Sequence, residues 1–181
     1  MEQFQNALNQ LLKQGAKGLV FDVREDGGGL VAALEKIVDP LLPAGDIATA
    51  TYQDGTTKVL VHSDANELNL PMMVLVNGNT ASAAELFTAS LKDFGKAEVI
   101  GEQTFGKGIM QNTFELPDGG AVTLTVATYQ TTKGECYHGV GITPDVIMEE
   151  DYEKVDFDHP NAEQDAQLKQ AMELLQSKIS C

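Results

Sequence analysis

Ser82 follows a short apolar run, Met72-Met73-Val74-Leu75-Val76, and a turn, Asn77-Gly78-Asn79-Thr80, and it stands where a helical pattern begins. A strand–turn–helix of this kind lifts a side chain to the carboxyl edge of a sheet. It also aims free backbone N–H groups and the positive helix end at whatever binds there. A serine in that place can attack a carbonyl while the amides stabilise the oxyanion. The same position suits a helix cap, because Ser and Thr are common caps and Glu85, three residues on, completes a capping-box pattern.

A serine nucleophile needs a base. His62, His138 and His159 are the histidines, and none lies in a triad motif; each reads as an ordinary surface or turn residue. Lys107 sits in Gly101-Glu102-Gln103-Thr104-Phe105-Gly106-Lys107-Gly108, where glycines on both sides let the backbone bend tightly and approach another element. A lysine acts as a base only when neutral, and burial favours that state by penalising the ammonium. An exposed loop lysine is the bland alternative. Gly101, Gly106 and Lys107 also match a phosphate-loop spacing. However, Gly108 stands where Ser or Thr would hold magnesium, and an extended stretch follows in place of a helix.

The elements that must position these groups are legible from periodicity. Phe4, Leu8, Leu11 and Leu12 predict a helix over residues 2–14, ended by Gly15. Gly18 to Val23 reads as a buried strand, Gly27-Gly28-Gly29 as a tight loop, and Leu30, Leu34, Ile37 and Val38 as a second helix closed by Asp39-Pro40. Asp54-Gly55 between residues 47–52 and 57–61 is a hairpin signal, as is Pro117-Asp118-Gly119-Gly120 between 113–116 and 122–128. A helix runs from Ser82 to Phe94, stopped by Gly95, and residues 98–100 form a further strand. Leu168, Met172, Leu175 and Ile179 give a last helix. This order predicts an α/β layer with a largely parallel sheet and an added β-hairpin region.

A length of 181 residues, with 43% hydrophobic and 22% charged, suits one globular domain with a real core. The net charge of −15 repels nucleic acid and anionic lipid. Glu149, Glu150, Asp151, Glu153, Asp156 and Asp158 read as a solvated connector over residues 149–160, ahead of the C-terminal helix at 161–179. Cys136 and Cys181 imply neither a disulfide framework nor a zinc site. Met1 to Gln5 open into a polar helical pattern with no signal-peptide character, and no apolar run is long enough to span a bilayer.

Taken together, the segments resemble the carboxyl-terminal processing (tail-specific) proteases. The match runs from Gly18-Leu19-Val20-Phe21-Asp22-Val23-Arg24 through the triple glycine to Thr80-Ala81-Ser82-Ala83-Ala84-Glu85. It continues with Gly106-Lys107-Gly108 and Gln111 and ends at Gly139-Val140-Gly141-Ile142-Thr143-Pro144-Asp145. Lys107 follows Ser82 by 25 residues (from 82 to 107), the spacing of that family. The resemblance implies a Clp protease/crotonase-like core of strand–strand–helix units. It makes Ser82 the nucleophile, Lys107 the general base, Gln111 the residue that positions the lysine amine, and Asp93 a support to the site. The oxyanion hole it implies joins the N–H of Ala83 to that of Gly28 or Gly29.

The activity so implied is hydrolysis of peptide bonds near protein C-termini through an acyl-enzyme, with a polypeptide tail as partner and no metal or cofactor. The family's setting suggests a place outside the cytoplasm, and oligomeric state is left open. Family members usually carry a PDZ domain ahead of this core. Residues 1–181 are expected to be the peptidase core alone, with Glu25-Asp26 departing from the family's usual asparagine at the second position. The rival expectations are a catalytically silent domain that keeps the fold and, from the shared glycine loop, a crotonase-like acyl-CoA enzyme.

Overall fold

The computed structural model describes residues 2–64 and 67–180, so Met1 and Cys181 lie outside the described part. Helix α1 (Glu2–Lys13) leads into strand β1 (Leu19–Asp22), and α2 (Val31–Val38) is followed by a 3-10 turn at Asp39–Leu41. Strands β2 (Gly45–Tyr52) and β3 (Thr57–Ser63) precede β4 (Met72–Val76), α3 (Ala83–Asp93) and β5 (Ala97–Gly101). Then come β6 (Ile109–Glu115), β7 (Ala121–Thr131), β8 (Val146–Ile147) and α4 (Ala166–Ile179).

Two sheets result, the parallel one and the added β-hairpin region that the sequence suggested. β1, β4, β5 and β8 form a parallel sheet in the order β1-β4-β5-β8, with Val74 in register with Phe21 on one side and Val99 on the other. The two expected hairpins join in a single antiparallel sheet of order β3-β2-β7-β6. Every residue of β4 is buried, as a central parallel strand covered on both faces requires. Its alternate residues divide between two cores. Met72, Val74 and Val76 join the core that holds Leu86, Phe87 and Leu91 of α3, while Met73 and Leu75 join the one that holds Ala171 and Leu175 of α4.

Helix α3 is buried from Ala83 to Leu91 because it lies between the two sheets. Its buried hydroxyls are satisfied within the helix: Thr88 Oγ1 donates to Ala84 O at 2.9 Å and Ser90 Oγ to Leu86 O at 2.6 Å.

Two boundaries differ from the periodicity. Leu30 is 79% exposed and caps α2 from outside, so the helix begins at Val31. The last helix begins at Ala166, not 161, because Asp165 accepts Leu168 N–H at 2.8 Å and acts as its cap. The acidic connector is partly packed rather than simply solvated. Tyr152 Oη donates to Glu102 Oε1 at 2.8 Å, Gln167 N–H reaches Glu150 Oε2 at 2.9 Å, and Phe157 lies under the Arg24 guanidinium.

Arg24 explains why this region docks. Its side chain is 1% exposed and bridges Asp22 at 2.6 Å and Asp165 at 2.5 Å, tying β1 to the start of α4. Burial disfavours the guanidinium charge, but the two carboxylates outweigh that and hold its pKa above the ordinary arginine value. Asp165 is likewise buried, and the Arg24 and Leu168 hydrogen bonds hold its carboxyl below the usual range.

Candidate active site

Three neighbouring parallel strands end at the same edge. β1 delivers the glycine loop, β4 delivers Ser82, and β5 delivers the loop of Lys107. Ligand sites of open α/β sheets gather at such carboxyl ends.

Ser82 is half-buried at the N-terminus of α3 with φ 58° and ψ −120°, a conformation that costs a non-glycine residue about 1–3 kcal/mol. A strained strand-to-helix turn is how a nucleophilic serine is held up at the edge of a sheet. The strain is held in place by close packing. A Cβ on Gly28 would stand 2.6 Å from both Ala81 O and Ala83 N and 2.9 Å from Ser82 Cβ, so only glycine fits there. Ala81 N–H donates to Asp26 O at 2.9 Å, which fastens the glycine loop to the serine turn.

Glu85 organises the rest. The capping pattern expected from sequence is present in its glutamate limb, with Ser82 N–H donating to Glu85 Oε2 at 2.9 Å. The same carboxylate, with no exposed surface, also accepts Lys107 N–H at 2.7 Å, Gly106 N–H at 2.7 Å and Thr104 Oγ1–H at 2.6 Å. Four donors compensate the burial of its polar atoms. One carboxylate thus binds the main chain of both residues that the sequence pairs. A Cβ on Gly106, at φ 90°, would meet Gly141 N at 2.9 Å, so the Gly139–Ile142 segment closes over the lysine loop.

Tyr129 on β7 reaches the same place. Its hydroxyl lies 2.8 Å from Lys107 O and 3.3 Å from Ser82 Oγ. Burial pushes the Tyr129 phenol above its ordinary pKa. The Lys107 side chain is half-buried, and its Nζ forms no hydrogen bond to Ser82 Oγ or to any other group among the described residues. Such contacts often tighten only when substrate is bound.

Of the oxyanion candidates, Gly28 N–H donates to Asp26 Oδ1 at 2.8 Å, whereas the amides of Gly29 and Ala83 have no protein partner among the described residues. Gln111 lies exposed on β6 opposite Thr125, at a register shift after Met110. Asp93 is not brought to Ser82. It sits at the other end of α3, roughly 16 Å away at 1.5 Å per residue, where Thr131 Oγ1 donates to it at 2.5 Å. The remaining histidines stay apart from Ser82 in their contacts: His62 meets Asp46, His159 meets Asp156, and His138 Nδ1 lies 3.2 Å from Gly106 O.

An apolar cavity of about 410 Å³ opens beside the glycine loop. Gly28, Gly29 and Ala83 line its mouth, and Phe21, Leu34 and Phe87 are among the residues of its wall.

A family model for peptidase family S41 matches residues 1–148. The chain belongs to peptidase family S41. It is 36% identical over 175 residues to the carboxyl-terminal-processing protease of Synechocystis, covering 97% of this chain and 40% of that protein. The solved photosystem II D1 C-terminal processing protease is 39% identical, with a TM-score of 0.74 over 80% of this chain and 38% of its own. A structure from Bacteroides fragilis superposes with a TM-score of 0.80 over 97% of this chain and 49% of its own; at 21% identity it speaks to the fold alone. The S41 chain therefore carries a Clp protease-like fold and spans about two fifths of the length of the Synechocystis relative.

Glu85 and Tyr129 are the site residues that sequence reasoning missed. Glu85 had a signal, its place three residues after Ser82, but the capping role concealed the three further bonds. Tyr129 had none, since nothing in a strand's alternation tells which loop its hydroxyl will meet.

Proposed function

We propose that this chain is a serine endopeptidase core that hydrolyses peptide bonds near protein C-termini. The observation that carries the proposal is the shared carboxylate of Glu85, which holds the strained Ser82 and the Lys107 main chain together although 25 residues (from 82 to 107) separate them. The names of the relatives support the substrate class.

In this reading Lys107 Nζ takes the Ser82 hydroxyl proton as Oγ attacks the scissile carbonyl carbon. The oxyanion is met by Ala83 N–H, a glycine-loop N–H and the positive end of α3. The C–N bond then breaks, the leaving amine takes the proton from Lys107, and an acyl ester remains on Ser82. Water, deprotonated by Lys107, cleaves that ester and restores the serine. The apolar cavity beside Gly28 and Gly29 would receive a side chain flanking the cleaved bond.

The test is incubation with a polypeptide labelled at its C-terminal tail. Release of short C-terminal fragments by the wild-type chain, and none by Ser82→Ala, is expected. Equal release by Ser82→Ala would end the proposal.

A further inference from the structure

Tyr129 is 2% exposed, and its one hydroxyl meets both halves of the site. A tyrosine hydroxyl carries a single proton, and a carbonyl can only accept. The one proton is therefore shared between two acceptors, chiefly Lys107 O at 2.8 Å and more weakly Ser82 Oγ at 3.3 Å. Tyr129 is the side-chain hydrogen-bond partner of Ser82 Oγ among the described residues. Tyr129 is itself fixed. Its main-chain N–H donates to Gly108 O at 3.1 Å, its strand residue pairs with Ala50, and its ring meets Tyr137 edge-on with centroids 6.1 Å apart. Tyr129 of β7 thus binds the carbonyls of two consecutive residues of the lysine loop, Lys107 and Gly108.

We propose that Tyr129 is a positioning residue for the chemistry at Ser82, its hydroxyl donating to the Lys107 carbonyl and to Ser82 Oγ and so setting the one against the other. The proposal rests on Ser82 and Lys107 being the reacting pair. Glu85 holds Lys107 through its N–H and Tyr129 holds it through its carbonyl, so the peptide units on both sides of the base are fixed. Because Ser82 Oγ accepts from Tyr129, its own proton is left for Lys107, and the Tyr129–Lys107 bond persists through the step. Tyr129 touches no reacting atom other than Ser82 Oγ and takes up no proton in the cycle.

Tyr129→Phe removes one oxygen and keeps the ring. It is expected to lower kcat about tenfold, the worth of one buried hydrogen bond, with KM within about twofold. The rate at which a fluorophosphonate labels Ser82 should fall by the same factor. Tyr137→Phe is the control: it keeps the ring against Tyr129, the hydroxyl it removes has no hydrogen-bond partner among the described residues, and the labelling rate should stay unchanged. An unchanged rate in Tyr129→Phe, or equal losses in both variants, would overturn the proposal.

A second measurement reads the geometry without any turnover. In proton NMR of the wild-type chain, the Tyr129 hydroxyl should exchange slowly and appear as a resonance absent from Tyr129→Phe. It should shift in Ser82→Ala. A hydroxyl resonance that ignores Ser82→Ala, or one lost to fast exchange, would remove Tyr129 from the site. If the wild type fails to label while the resonance behaves as described, the peptidase reading fails and the Tyr129 geometry stands.

Discussion

The buried carboxylate of Glu85 accepts the main-chain N–H of Lys107 at 2.7 Å, and it is through this bond that the lysine loop meets the start of the serine helix. Glu85→Ala would leave buried donors unpaired, a loss of about 1–3 kcal/mol for each that water cannot reach. Glu85→Gln keeps the shape but exchanges one acceptor oxygen for an amide. We expect Glu85→Ala to unfold at a markedly lower temperature. We expect Glu85→Gln to fold, with Ser82 labelling at least tenfold slower. Thermal unfolding and labelling on the same preparations check this, and near-wild-type labelling in Glu85→Gln would show that the bond does not position the pair.

Asp26 occupies the Gly28 amide at 2.8 Å, so a carboxylate stands where negative charge would develop. Asp26→Ala frees that amide and removes the charge, whereas Asp26→Asn removes the charge alone. Acylation should speed up severalfold in Asp26→Ala and less in Asp26→Asn. Slower acylation in both would mean that Asp26 serves to hold the loop and that Gly29 supplies the donor.

The apolar cavity predicts selectivity. Ala33 is one of its lining residues, and Ala33→Phe would fill part of its 410 Å³. Cleavage after a large apolar residue should lose at least tenfold in kcat/KM, since each excluded methylene costs about 0.8 kcal/mol. Cleavage after alanine should change little. Equal losses for both peptides would place the flanking side chain elsewhere.

The Arg24–Asp165 pair predicts an acid-dependent stability. The folded-state pKa of Asp165 lies below its unfolded value, so its contribution is complete above the ordinary carboxylate range and is lost as pH falls through the depressed value. Arg24→Met strands a buried carboxylate and should cost about 3–5 kcal/mol at neutral pH. Because protonation relieves that stranded charge, the gap between wild type and variant should narrow on acidification. Urea unfolding at several pH values measures it, and a gap independent of pH would contradict the assignment.

Much of this was legible in the sequence for local reasons. Asn77 to Thr80 ahead of Ser82 marked the strand–turn–helix, and Asp54-Gly55 and Pro117 to Gly120 marked turns that the structure places between β2 and β3 and between β6 and β7. The less legible features depend on distant contacts. Arg24 and Asp165 are 141 residues apart, and nothing near either announces the other. The two-residue β8 is too short for any periodicity. Tyr152 and Phe157 lay in a segment whose charge masked their packing. Asp93, eleven residues after Ser82 in a rigid helix, was bound to end far from it.

The central claim is that Ser82 is a nucleophile activated by Lys107. It is tested most directly by the rate of fluorophosphonate labelling from about pH 6 to about pH 10, in the wild-type chain and in Lys107→Ala. One adduct on Ser82 is predicted, forming faster as the lysine amine loses its proton. In Lys107→Ala the rate should drop by about 10²–10⁴-fold and follow no such rise. Labelling absent from Ser82 at every pH, or undiminished without Lys107, would contradict the account.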